Sequence, residues 1–233
     1  MNEQNQTEKI EEKQEKKLVI PGEVMAEGED FLPGENTEKV GSNIIARKFG
    51  LLENSNGLIK VIPLSGVYYP RRGNSVIGTV ENVTFNGWVI EIGSAETAFL
   101  PLSEVPRYIH KNNLDELMDI GDTVVAKIFG VNKRGIDLTI KSRNLGKIEE
   151  GLIIDINSNK VPRVIGREGS MIKMIKDETG CNITVGQNGK IWIKGSKIEE
   201  ELLAKNAILF VSKKSFIEGL TDEVIKWFKE NKK

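Results

Sequence analysis

Two glycines three residues apart, Gly166 and Gly169, interrupt the chain where its apolar pattern is helical. Val164-Ile165 stands immediately before them, and Met171, Ile172, Met174 and Ile175 follow at helical spacing. Gly180 then sits where a helix C-terminal glycine belongs. Residues 151–156 read as a strand, and 183–185 and 190–194 as a hairpin turning at Asn188-Gly189. Ser196 and Glu199 form a capping box for a helix running towards Val211. A last segment, 221–229, places Val224, Ile225, Trp227 and Phe228 along one side as a core-packing stripe. Strand, helix, Gly-x-x-Gly, helix, strand, strand, helix describes a small α+β unit.

The chain upstream is built from short strands. Residues 76–83 and 88–92 flank Phe85-Asn86-Gly87, and an Asn-Gly pair between apolar runs signals a hairpin. Trp88, Ile90 and Ile92 share one face of the second strand. A third strand at 97–100, a brief helix at 114–118, and strands 124–131 and 136–140 paired across Asn132–Gly135 complete the pattern. Five strands with a helix after the third match an OB-fold barrel, and another small β-barrel fits equally. Residues 18–72 hold apolar runs at 43–46, 58–62 and 67–69 cut by Gly, Asn and Pro, the pattern of a small β-sandwich or half-barrel. Residues 1–17, with five Glu, four Lys and no aromatic, read as a disordered tail, or alternatively as a charged helix docking on a partner. The expectation is a multidomain β and α+β protein: tail 1–17, β domain 18–72, barrel 73–146, and α+β domain 147–233 with C-terminal helices.

Composition removes several classes. One cysteine, Cys181, and one histidine, His110, leave neither a disulfide framework nor a His/Cys metal cluster, and no metal or cofactor is expected. The carboxylates Asp115, Glu116, Asp119 and Asp122 read as a solvated turn, with a metal site the weaker alternative. No Gly-x-x-x-x-Gly-Lys-[Ser/Thr] loop occurs, and catalysis is not expected. The longest apolar run, Ala207 to Val211, is far short of a membrane helix, and no secretory signal opens the chain; a cytoplasmic protein without a membrane partner is expected. With 33 Lys+Arg against 34 Asp+Glu, any basic surface must be local.

Such a surface surrounds the glycine pair. Glycine at each end of Gly166-Arg167-Glu168-Gly169 lets the loop turn sharply and lets a phosphodiester backbone approach main-chain N–H groups at a helix start. A KH domain clamps about four single-stranded nucleotides in this way. Ile165, Ile172 and the 183–185 strand would form the apolar groove under the bases, and Lys160, Arg163, Arg167, Lys173 and Lys176 would supply positive charge. A helix–helix turn needing glycine only for packing is the alternative. On the barrel, Phe85 and Trp88 bracket the hairpin turn as candidate stacking platforms, while Trp88 also reads as core because Ile90 and Ile92 share its face. Lys133, Arg134, Lys141 and Arg143 lie on or near the last hairpin as candidate phosphate contacts.

The residues also resemble a known family. Gly78-Thr79-Val80, Phe85-Asn86-Gly87-Trp88-Val89, Phe99-Leu100-Pro101-Leu102-Ser103-Glu104 and Ile120-Gly121-Asp122-Thr123-Val124 resemble an S1-type RNA-binding domain, and the last third resembles a type I KH domain. Ile20-Pro21-Gly22-Glu23 and Tyr69-Pro70-Arg71-Arg72-Gly73-Asn74 are similar to the N-terminal domain and junction of the archaeal exosome RNA-binding cap subunit, the larger KH-containing kind. Polynucleotide phosphorylase is less similar, with its KH before its S1 domain. The resemblance implies a non-catalytic subunit, three copies of which, or of a related cap subunit, sit on a hexameric ring of RNase PH-like subunits. They would feed single-stranded, adenine-rich RNA 3′ end first into that phosphorolytic chamber. Pro21, Gly22, Tyr69 and Pro70 would then face the ring. Pro101 replaces the histidine common on S1 domains, and Glu168 stands where many KH loops are basic, which implies weak binding by one copy and recovery by three around a pore. The alternative from the same surfaces is a free-standing S1/KH RNA-binding regulator, for instance of translation.

Overall fold

The computed structural model describes residues 17–106, 113–215 and 219–231. One compact unit extends to Leu64 and a second begins at Ser65. The first contains β1 (Leu18–Val19), β2 (Val24–Glu27), β3 (Leu32–Pro33), β4 (Thr37–Val40), β5 (Asn43–Ala46), β6 (Gly50–Ser55) and β7 (Leu58–Pro63). They form two small sheets, β1-β6-β7-β3 and β2-β5-β4, over a core of Val19, Ala46 and Val61. The expected tail lies outside the described residues up to residue 16.

The second unit opens without a strand. The apolar run 67–69 predicts one, but the segment joins no sheet and only its middle residue serves as an anchor: Tyr68 is buried in the barrel core and its hydroxyl bonds the Asn74 side chain at 2.9 Å. Burial pushes this phenol up to about 12. The barrel itself runs β8 (Ser75–Thr84), β9 (Gly87–Glu91), β10 (Ala98–Pro101), β11 (Thr123–Asn132), β12 (Gly135–Thr139) and β13 (Gly146–Ile148). Strand order β12-β10-β9-β8-β11-β13, with β11 also pairing β12, closes five strands on themselves. β10 and β12 pair in parallel, and short 3-10 turns at Leu102–Glu104 and Leu114–Glu116 stand between β10 and β11. Inward positions of the five closed strands, among them Val80, Trp88, Leu100, Ile128 and Leu138, fill the interior.

Then follow β14 (Leu152–Asp155), α1 (Val161–Ile165), α2 (Ser170–Thr179), β15 (Asn182–Val185), β16 (Lys190–Lys194), α3 (Ile198–Lys213) and α4 (Leu220–Asn231). The antiparallel sheet β14-β16-β15 packs Ile154, Ile183, Ile191 and Ile193 against Val164, Ile175, Ala207 and Ile208 of the helices. Two details depart from the sequence reading. The cap of α3 lies one residue later than expected: Glu200, not Glu199, accepts the N–H groups of Ser196 and Lys197 at 3.0 and 3.3 Å. Ile225 is 41% exposed rather than part of the packed stripe, because it lies about 100° round the helix from buried Val224.

Barrel and sheet meet at the turn Gly186-Gln187-Asn188-Gly189, which behaves like an added strand on β8. Ser75 N–H donates to Gln187 Oε1 at 2.6 Å, and Gln187 N–H returns a bond to the Ser75 carbonyl at 2.8 Å. Asn188 accepts from Ile77 N–H at 3.3 Å and donates to the carbonyls of Ile77 and Ile92 at 2.7 and 2.9 Å. One side-chain amide thereby satisfies three backbone groups of the barrel.

Candidate nucleic-acid interface

The glycine loop is built from two helices that nearly touch. α1 ends as Gly166 enters φ +76°, its N–H still bonding the Pro162 carbonyl at 2.9 Å. Glu168 and Gly169 follow at φ +52° and +79°, and α2 begins at Ser170. The two glycines serve different ends. A Cβ on Gly166 would lie 2.7 Å from both Cβ and N of buried Met171, so that glycine is demanded by packing. A Cβ on Gly169 would meet nothing within 4 Å. Its Cβ side is open; its own N–H bonds the Gly166 carbonyl at 3.3 Å and the Ser170 N–H bonds the Arg167 carbonyl, while the following first-turn N–H groups of α2 have no partner within the helix.

The flanking residues assemble as expected for the most part. Arg167, Glu168 and Lys173 are exposed around the loop, Arg163 is half-buried on α1, and Ile165 and Ile172 are half-buried on either side. Lys160 ends the 3-10 turn before α1, and Lys176 is half-buried two-thirds of the way along α2. In the neighbouring strand Ile183 is only 2% exposed and belongs to the core, leaving half-buried Val185 as that strand's apolar contribution to a groove.

The barrel face requires a correction. Trp88 has no exposed surface: alternation along β9 turns it inward with Ile90, and its indole N–H donates to the Met118 carbonyl at 2.9 Å. No base can stack on it. Phe85, at the hairpin tip, is 78% exposed. Phe129 on β11 is 40% exposed, and Phe99, half-exposed on β10, is a further outward aromatic, whose ring lies across Gly87 so closely that a Cβ there would sit 2.9 Å from Cζ. The signal for Phe99 was alternation: Ala98 and Leu100 on either side are buried.

Register also divides the basic residues. Pairing of Ala98 with Ile136 sets the Lys133–Arg134 turn at one end of β10, while Pro101, Gly87 and the Phe85 turn lie at the other, roughly 13 Å away. Arg143 and Lys141 follow β12 at the Phe85 end, but Lys141 is engaged with Glu104 at 3.1 Å. Glu104, bonded by Thr139 and then by Lys141, is held below the ordinary carboxylate range. Lys133 and Arg134 are exposed, Arg134 N–H bonding Asn132 Oδ1 at 2.8 Å.

Of the remaining expectations, Pro21 and Gly22 form the exposed turn after β1, with Gly22 N–H on the Ala46 carbonyl at 2.8 Å. Tyr69 is 61% exposed and Pro70 half-buried, both in the second unit. Asp122 receives Lys147 Nζ at 2.7 Å and Asp119 N–H at 2.7 Å, which lower its pKa in that order. Among the described residues no three His, Cys, Asp or Glu converge as metal ligands, and His110 lies outside them. Cys181 is buried, and desolvation raises its thiol pKa.

Comparison with known proteins places these surfaces in a family. A model described as the S1 RNA binding domain matches residues 69–141, and one described as the KH domain matches 151–199. Exosome complex component Rrp4 of Methanothermobacter thermautotrophicus is 41% identical over 211 residues, covering 90% of this chain and 67% of that protein. Rrp4 of Pyrococcus furiosus is 42% identical over 217 residues, covering 91% and 82%. The chain belongs to the archaeal Rrp4 family. A crystal structure described as an exosome complex RNA-binding protein superimposes with a TM-score of 0.64 at 33% identity, over 72% of this chain and 98% of that one. In this Rrp4 family member the S1 match begins at residue 69, beside the Tyr68 anchor. No helix among the described residues is long and apolar enough to cross a membrane.

Proposed function

We propose that this Rrp4 family chain is a non-catalytic, RNA-binding cap subunit of a cytoplasmic exosome. It holds single-stranded, adenine-rich RNA at the α1–α2 loop and along the aromatic face of the barrel. It passes the 3′ end to a hexameric phosphorolytic ring of RNase PH-like subunits, on which three caps stand. The β domain 18–72 docks on that ring, with Pro21, Gly22, Tyr69 and Pro70 in contact; the S1 domain, 73–146, lines the entry and the KH domain, 147–233, lies outward.

The observation that carries the RNA reading is the free space at the Cβ position of Gly169, beside the start of α2 and between half-buried isoleucines and exposed Arg167 and Lys173. A phosphodiester there meets main-chain donors and local positive charge without displacing protein atoms. The test is purification with the ring from native cells at near-physiological salt. Co-elution, faster degradation of tailed RNA by the ring, and no digestion by the chain alone are expected. RNA binding without any ring association, unchanged on deletion of 18–64, which leaves the Tyr68 anchor in place, would instead establish a free-standing regulator.

A further inference from the structure

A second cleft, of about 600 Å³, lies on the opposite face of the KH sheet, between that sheet and the segment leaving the barrel. β16 buries Ile191 and Ile193 against the helices, so Trp192 between them points away from α1, α2 and the glycine loop. The cleft is lined by this indole, by Lys176, Lys194 and Thr184, and across it by Lys147 and Asn144.

Trp192 is half-buried and held in place. Its N–H donates to the Glu150 carbonyl at 2.7 Å, and its edge crosses Gly151, where a Cβ would come within 2.5 Å of Nε1. A fixed ring beside a cavity of that size is suited to a flat aromatic ligand. The charges around it favour an anionic one. Among the described residues Lys176 forms no ion pair, and it lies on α2 six residues beyond Ser170, about 9 Å along the axis from the glycine loop. Lys194 pairs at 2.7 Å with Glu150, whose carboxylate is 76% exposed, so a phosphate can take that place at little cost. Lys147 is paired with Asp122 at 2.7 Å, and Glu149 also lines the mouth, which makes the cleft unfavourable for a bare polyanion and selective for a base joined to a phosphate.

We infer that this cleft is a nucleotide site for single-stranded RNA, with a base stacked on Trp192 and its phosphates at Lys176 and Lys194, reached by a strand that wraps the edge strand β15 from the glycine loop. The inference rests on the RNA-binding reading above and extends it to a surface that the loop does not include.

Affinity of the full chain for adenine oligonucleotides of about four and about twelve residues separates the two, since a KH loop accommodates about four. Lys194→Glu is expected to weaken the longer RNA about fivefold or more and leave the shorter one unchanged. RNA should quench tryptophan fluorescence in the parent protein, and Trp192→Phe, which keeps a ring in the fold, should remove that quenching. Equal weakening of both lengths would make the effect of Lys194 a general one of charge, and unchanged binding with unaltered quenching would leave the cleft empty; either overturns the inference while the loop reading stands. Absence of binding at both lengths in the parent protein would overturn the loop reading and the cleft with it.

Discussion

Asn188→Asp tests how the KH sheet is fastened to the barrel. The substitution conserves shape and leaves an acceptor for Ile77 N–H, but it replaces two donated bonds, to the carbonyls of Ile77 and Ile92 at 2.7 and 2.9 Å, by a carboxylate facing two carbonyl oxygens. Each lost bond costs about 1 kcal/mol, and leaving the part-buried carbonyls unpaired adds about 1 kcal/mol or more, for roughly 3 kcal/mol in all. For a unit of this size that is a fall in Tm of about 6–12 °C. The introduced carboxyl is easier to protonate in the folded state than in the unfolded one, since only its O–H form can donate. Its folded pKa is therefore raised, and the deficit should shrink below about pH 4 and grow as pH rises through that folded value. All three tryptophans lie beyond Ser65, so thermal unfolding followed by their fluorescence reports the second unit alone. A Tm within about 1 °C of the parent protein at neutral pH would show that this turn merely touches the barrel.

The two loop glycines should part company. Gly166→Ala is expected to cost about 2 kcal/mol or more in chemical denaturation, from positive φ and the contact with Met171, whereas Gly169→Asp should cost about 1 kcal/mol and lower RNA affinity about tenfold. Equal affinity before and after the latter would reduce the loop to a turn. Phe85→Ala should weaken RNA binding about fivefold with stability unchanged, and Trp88→Ala should instead lose about 3–5 kcal/mol of stability; the reverse pattern in paired binding and melting curves would contradict the barrel geometry. Asp122, whose pKa is lowered chiefly by Lys147, stabilises the fold above the ordinary aspartate range and ceases to do so as pH falls through its depressed value. Asp122→Asn should therefore melt below the parent protein at pH 7 and converge with it in acid; parallel curves at every pH would remove that ion pair from the account.

Much of this protein was written in local pattern. Period-2 alternation and Asn-Gly turns located the barrel strands, and two glycines between helical stripes located the loop, because these features depend on neighbours a few residues away. What the tertiary structure alone decided depends on residues far apart in the chain. Alternation grouped Trp88 with Ile90 and set Phe99 opposite Ala98 and Leu100, but barrel closure decided which of the two faces is buried. The register of β10 on β12 drew Lys133 and Arg134 away from Phe85, though each lies at the tip of a hairpin of the same barrel. Asn188 announced a turn but not that its amide would complete the backbone bonding of strands about a hundred residues earlier. Short-range conformational preference is carried by each segment; long-range pairing exists only once the segments have found one another.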